Sequence, residues 1–454
     1  PEAVRSIYFE NRKSHCLITG RLIQKDQVRR PAKYNLIKYS LEKEYLVFNL
    51  KLFIMKKSLL FLLVLALQVT TAKAQEYVHQ VIILNEGYFD YSLNQSVVPP
   101  TIGSYDPSTQ TYLTIDTLYS ARFASDLVVD ENYFYVAADN MLYKYDKNSY
   151  DLITSQQIDG IRNIAIWNDK IIVTRGDYDN TTFSPILFNS YLQVYNISDL
   201  SLYIEIDTIT GPKWATQNLI INDDKLYVAI NNAYEWGNEK GLVGILDLNT
   251  FTYLNEIDLG LDGINPDNMM QSGDHIYTIN NKDWSGSSIS QLSLLTNSVT
   301  TTNLAAAPTG CGTSCLRDNK INYQISGDSI LNEWDLSILA SAGIPLPINQ
   351  AFYDLSHDPI NNLLYASITD YTAFGSINIY DQNNSLTYTF ECGISPGTIV
   401  FDIRNLTTSI YESVSSESYN REGVIYDLSG RITPRISLPI GLYIKNKKQF
   451  YISK

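Results

Sequence analysis

Residues 126–157, DLVVDENYFYVAADNMLYKYDKNSYDLITSQQ, divide into four short runs of β-branched and aromatic residues separated by Asp/Asn turns. Residues 217–256, QNLIINDDKLYVAINNAYEWGNEKGLVGILDLNTFTYLNE, repeat that order with a longer insert after the second run. The third run of each unit tends to end in an aromatic or aliphatic residue followed by Asp or Asn: Tyr105-Asp106, Tyr145-Asp146, Tyr195-Asn196, Leu246-Asp247, Trp334-Asp335 and Tyr380-Asp381. Between 247 and 335 the chain needs one more unit, and QLSLLTN at 291–297 supplies a degenerate one with Leu294 in the Asp slot. Successive marks then lie 40, 50, 51, 47, 41 and 46 residues apart, the length of a four-stranded propeller blade. Seven marks predict an all-β, seven-bladed β-propeller over residues 75–404.

The first unit has its second run at Val81–Leu84, its third at Ile102–Asp106 and its fourth at Tyr112–Asp116, but no inner run before them. After the seventh unit comes an orphan run, Gly397-Thr398-Ile399-Val400-Phe401-Asp402-Ile403, which matches the first run of the other blades. Placed as the inner strand of blade one, it closes the ring and removes the unpaired edges of an open stack.

The repeats resemble YVTN-type seven-bladed propellers. Leu84-Asn85-Glu86-Gly87-Tyr88-Phe89, followed by Gly103-Ser104-Tyr105-Asp106-Pro107, is similar to the opening of a family of Bacteroidota surface propellers. That family includes outer-membrane propellers that capture cobalamin, normally as lipoproteins. The resemblance implies cobalamin as a candidate ligand and an outer-membrane transporter as a candidate partner. No cysteine follows the apolar run described next, so the lipid-bearing residue of those relatives has no counterpart.

Met55 opens MKKSLLFLLVLALQVTTAKAQ, which reads as a secretory signal over 55–74. Lys56 and Lys57 form the positive region, Leu59 to Leu67 an apolar run too short to span a bilayer, and Ala72-Lys73-Ala74 a small-x-small cleavage site. Residues 1–54 are expected to be a leader translated from upstream of the true start. The mature chain is then exported from near Gln75 to the outer-membrane surface or the medium, with the periplasm as the alternative, and has no transmembrane span. Residues 405–423 read as a polar linker. Residues 424–454 form a small β tail in which YDLSGR (426–431) and LPIGLYI (438–444) are similar to the sorting tails of type IX secretion substrates.

Residues 75–404 carry 13 Lys and Arg against 39 Asp and Glu, a net charge of −26. So acidic a body repels phosphate backbones and anionic membrane surfaces, which excludes nucleic acid as a partner. Outside the leader the cysteines are Cys311, Cys315 and Cys392. In an exported chain one pair can close, most simply Cys311 with Cys315, leaving Cys392 free. The scattered His79, His275 and His357 make no zinc set with them. Asp177 and Asp179 have the alternate carboxylate spacing of a calcium loop without its remaining ligands.

In a propeller the loops between strands two and three, and those between blades, emerge on one face around the channel. Here the first set holds long inserts at 86–101, 175–190, 231–241, 281–288 and 370–375, with Tyr88, Phe89, Tyr91, Tyr178, Phe183, Phe188, Tyr234, Trp236, Trp284, Tyr371 and Phe374. The second adds Arg122, Phe123, Arg162, Lys213, Trp214, Asn265, Asp267, Phe352 and Tyr353. From these, Tyr88, Phe89, Arg122, Phe123, Arg162, Tyr178, Lys213, Trp214, Trp236, Trp284, Tyr353 and Phe374 are the candidate ligand-binding residues, since stiff amphipathic rings give contact area at low entropic cost. Arg122, Arg162 and Lys213 stand ready for a phosphate or carboxylate on the ligand. No Gly-x-Ser-x-Gly elbow, HExxH or P-loop occurs, so no catalytic residue is assigned. The expectation is a non-enzymatic binding module for a corrinoid, glycan or protein, with a propeller hydrolase or lyase acting on a polymer as the alternative.

Overall fold

The computed structural model describes residues 43–57, 75–338, 343–406, 425–427, 441–445 and 448–452. The chain divides into two units, 1–73 and 74–454. In the first, residues 43–57 form an exposed helix. The apolar run and cleavage site lie outside the described residues, as does most of the linker. No described helix is long and apolar enough to cross a membrane.

Among the described residues of the second unit, seven four-stranded antiparallel sheets follow one another as blades. Blade two, the unit quoted first above, runs Ala124–Val129, Tyr133–Ala138, Met141–Asp146 and Leu152–Gln157. The ring closes as its sequence requires. Pro396–Asn405 is the inner strand of blade one, antiparallel to Glu76–Asn85 with Val81 opposite Phe401 and Ile83 opposite Ile399. Outside the ring, Ile425–Asp427, Gly441–Lys445 and Lys448–Ile452 make a separate three-stranded sheet in the tail.

Packing between blades explains why second strands read as unbroken apolar runs: both of their faces are buried. In Val81-Ile82-Ile83-Leu84, Ile82 and Leu84 meet Leu127, Phe134 and Val136 of blade two, while Val81 and Ile83 meet Tyr365, Ile377 and Phe390 of blade seven. Tyr105 stacks on Phe390 across that last seam, with centroids 3.9 Å apart. The repeating aromatic–Asp mark has two separate physical causes. Its first residue is an inter-blade wedge; Tyr105, Tyr145, Tyr195, Leu246, Trp334 and Tyr380 are all buried. Its second caps the following turn: Asp106 accepts from the Ser108 amide, Asp146 from Asn148 and Ser149, Asp335 from Ser337.

Two expectations need correction. In the degenerate fifth blade the capping slot is Ser293, opposite His275 as Asp247 is opposite Lys225; Leu294 comes one position later. The Ser293 hydroxyl supplies the oxygen, accepting from the Thr296 amide, so the slot is polar after all. The Cys311–Cys315 bridge is not formed, because Cys315 is a buried free thiol packed with Leu331, Phe352 and Leu355 in the seam between blades six and seven. Four residues along a strand span about 13 Å, beyond disulfide reach without a tight turn. The side chain of Cys311 lies outside the described residues. Cys392 is likewise a buried free thiol.

The closing strand brings a carboxylate into the core. Asp402 is fully buried and receives Lys147 Nζ at 2.8 Å, Arg404 Nε at 2.9 Å and Gln80 Nε2 at 3.1 Å. Burial pushes its carboxyl up, but those hydrogen bonds outweigh it and hold the group below the usual carboxylate range. Asp402→Ala leaves Lys147, itself 6% exposed, without its counter-ion. The expected cost is about 3–5 kcal/mol in urea unfolding, against under about 0.5 kcal/mol for exposed Leu386→Ala. A depressed carboxylate stabilises above its unfolded pKa of about 3.9 and ceases to as pH falls through the lower folded value. Stability should therefore drop in acid, and less steeply in Asp402→Asn.

Candidate functional site

Inner strands begin at the channel mouth, and in blades two to six their pairing slips there: between Ala124 and Asp126, Ile161 and Ile164, Thr216 and Leu219, Pro266 and Asn268, Thr309 and Ser314. Such bulges re-aim successive side chains. A repeated pair results, polar then apolar: Asp126-Leu127, Asn163-Ile164, Asn218-Leu219, Asn268-Met269, Ser314-Cys315, Asp354-Leu355 and Thr398-Ile399. The apolar member enters the blade packing and the polar member joins a ring around the axis. Neighbours in the ring are bonded, Asn163 Nδ2 donating to Asp126 Oδ2 at 3.2 Å and Asn268 Nδ2 to Ser314 Oγ at 2.9 Å.

Above the ring lies an axial cavity of about 460 Å³, lined by Asp126, Asn163, Asn218, Asn268, Asp354 and Thr398 below and by Glu86, Tyr91, Phe123, Arg162, Tyr178, Tyr234 and Tyr353 above. This falls within the ~300–1,000 Å³ of small-molecule sites. The collar is organised: Tyr178 donates to Tyr91 Oη at 3.1 Å and stacks with Tyr234 at 5.9 Å, and the Arg162 guanidinium lies over Tyr234 at 5.1 Å and Phe123 at 5.8 Å.

Four carboxyls stand in this wall, Glu86, Asp126, Asp267 and Asp354, and burial raises three of them. Burial pushes Glu86 up to about 7 against a hydrogen bond from Tyr353 and the charge of Arg162. Burial also raises Asp126 to about 6, although the Ile164 and Leu127 amides each donate to it at 2.8 Å. Asp354 is driven well above the carboxylate range, first by burial and then by the charge of Glu86. Two glycines make room for them. A Cβ on Gly397 would overlap the Glu86 carboxylate, and one on Gly312, whose φ is +77°, would sit 2.9 Å from Asp354 Oδ1.

Of the residues expected from sequence, Phe123, Arg162, Tyr178 and Tyr353 meet at this cavity. Arg122 sits beside it, engaged by Asp139 at 2.5 Å and Asp177 at 3.0 Å. Tyr88 and Phe89 belong to an extra hairpin, Tyr88–Asp90 with Gln95–Val98, where Phe89 packs on Tyr91. Lys213 is exposed, and Trp214 lies half-buried beneath Lys240 Nζ at 4.5 Å. Trp236, Trp284 and Phe374 are exposed at 84%, 40% and 79%, outside the axial cavity. Asp177 faces Arg122 while Asp179 caps its own turn through the Thr181 and Thr182 amides. Among the described residues no group of three His, Cys, Asp or Glu is placed to hold a metal. Sequence reasoning did not single out Glu86, Asp126 or Asp354. The signal that marks the last two is the polar–apolar pair at the start of each inner run, Asp or Asn in five of the seven, which the hydrophobic pattern overshadows.

No protein family model matches the chain, and no curated protein matches it. Solved structures do. A hypothetical selenium-binding protein from Sulfolobus tokodaii has a TM-score of 0.55 at 11% identity, covering 73% of this chain and 94% of its own. Putative 6-phosphogluconolactonases from Bacteroides uniformis and Bacteroides fragilis each have a TM-score of 0.50, at 11% and 12% identity, covering 71% of this chain and 99% and 98% of theirs. At such identity the likeness shows the fold alone.

Carboxyl NMR titration should find Glu86 with a midpoint near 7. In Gly397→Ala the side chain must turn out toward water, so its midpoint should fall toward the free value of about 4.3, with little loss of stability because the obstructed group is a flexible side-chain end.

Proposed function

We propose that this chain is an exported, cell-surface, non-enzymatic binding propeller that receives a polar group of its ligand in the axial cavity while the aromatic collar grips the ligand's apolar part. The observation that carries the reading is the joining, on the loop-bearing face, of a walled polar cavity to a collar of Phe123, Tyr178, Tyr234 and Tyr353. A corrinoid, glycan or protein loop all offer such a polar tip on a larger body. The signal-like 55–74, the sorting-like tail and the resemblance to Bacteroidota surface propellers support export and surface attachment, and leave an outer-membrane transporter as a candidate partner. Edman sequencing of secreted product should begin at or near Gln75; a cytoplasmic protein that keeps residues 1–54 would refute export.

One observation favours the enzymatic alternative: Glu86 and Asp354 line one cavity with raised carboxyl pKa values, an arrangement suited to proton transfer. Turnover of a bound polymer that Glu86→Gln abolishes without weakening binding would establish that reading instead.

Isothermal titration with cobalamin, cobinamide, and neutral and acidic saccharides tests binding. Phe123→Ala and Tyr178→Ala should each weaken the bound member by about tenfold or more, and Trp236→Ala should leave it unchanged. Loss at Trp236 without loss at Phe123 would move the site to the outer rim.

A further inference from the structure

Three basic residues were expected on this rim, and the structure separates them. Arg122 is held between Asp139 and Asp177, and Lys213 is exposed to solvent. Arg162 alone lines the cavity, its guanidinium fixed over Phe123 and Tyr234. Among the described residues no carboxylate lies within ion-pair distance of it, and its Nε has no hydrogen-bond partner. A planar cation fixed by aromatic faces and without a direct ion pair is a receptor for a planar anion.

Resting on the binding function above, we propose that the cavity takes a sugar acid, whose single carboxylate is received by Arg162 while the Asp/Asn ring bonds its hydroxyls. A sugar fits because the ring supplies both acceptors and donors, Asp126, Asn218 and Asn268, in the floor of the cavity that the tyrosines flank. A carboxylate fits better than a phosphate because Glu86, Asp126, Asp267 and Asp354 share the cavity. One negative charge opposite one arginine is tolerated there, whereas two meet repulsion. The acids also couple binding to pH. The charged or titratable groups acting on Glu86 are Arg162 from blade three and Tyr353 and Asp354 from the segment entering blade seven, with Asp126 of blade two and Asp267 of blade five in the same wall. Once ionised, Glu86 competes with the ligand for Arg162, so affinity falls between pH 6 and pH 8.

The test is isothermal titration of galacturonate and glucuronate against galactose and glucose, with galactose 6-phosphate and cobinamide as further arms. Uronates should bind the native protein at pH 6 about tenfold or more tighter than their neutral parents. Arg162→Gln should erase that ratio by lowering uronate affinity, and Arg162→Lys, which keeps the charge but not the fork, should retain part of it. Should Arg162→Gln lose its thermal transition, Arg162→Lys and the fall in uronate affinity from pH 6 to pH 8 decide. Equal binding of uronates and neutral sugars overturns the proposal and leaves the binding function standing. Tighter binding of the phosphate overturns the carboxylate, and binding of cobinamide alone overturns the sugar. Failure of every arm overturns both the proposal and the function on which it rests.

Discussion

The pairing of Pro396–Asn405 with Glu76–Asn85 sets the geometry on which everything else depends. Without it the array would be an open stack with two free edges, and nothing would fix how far the inner strands stand from the axis. Closure over so long a loop costs less than its length suggests, because chain entropy grows only with the logarithm of the separation. Specificity is supplied by Asp402, which ties the last strand to Lys147 of blade two and to Gln80 of the strand it joins. A slip of one residue would turn that carboxylate out of its polar cluster and into the Val81–Ile83 packing, so the buried charge fixes register as well as closure.

Once the radius is fixed, the seven inner strands converge around an axial cavity, and the side chains at their axial ends face that cavity and not an apolar core. The bulges achieve this by sending a polar residue to the axis and the next, apolar residue back into the blade. At five positions the polar residue is an amide or hydroxyl, and two of these, Asn163 and Asn268, donate to a neighbour in the ring. At Asp126 and Asp354 it is a carboxyl, and Glu86 adds a third whose pKa burial raises, with Asp267 beside them in the wall. Groups whose folded pKa is raised above the unfolded value favour the folded state least when ionised, so these acids oppose folding as pH rises through their titration. Local conflicts of this kind, kept in a frame that is otherwise consistent, concentrate where proteins bind.

The frame was legible because its rules are local. A buried wedge followed by an Asx turn recurs in nearly every blade, and Tyr145-Asp146 is readable without knowledge of any partner. The orphan Thr398–Ile403 run was readable because one blade lacked its inner strand. Ser293 was displaced by one position because a serine makes the same cap more weakly and does not stand out from its Ser/Thr-rich surroundings. The site was legible only in part. Phe123, Arg162, Tyr178 and Tyr353 follow from loop position, but loop length misleads at Trp236: its insert folds back on itself, Asn232 bonding Glu235 and the Asn238 carbonyl, and carries the ring outward. Asp354 escaped notice because its role comes from convergence of blades distant in sequence.

Charge connects the frame to the site. The body is strongly acidic, and among the described residues six of its 13 cations are ion-paired: Lys147 and Arg404 with Asp402, Arg122 with Asp139 and Asp177, Lys170 with Asp169, Lys282 with Asp262, Lys320 with Glu333. Arg162 is the basic residue of the cavity lining, a local positive point inside a negative field. Such a field acts at two ranges. Beyond a Debye length of about 8 Å it is screened, and within that distance the acidic wall turns away any ligand of high negative charge. Close contact is governed by the nearest group, where a fixed guanidinium outweighs carboxyls that burial holds partly protonated. On the proposed binding function, a cavity built this way favours a singly charged polar tip over a polyanion, through the burial of Glu86 and Asp354 rather than through any additional basic residue.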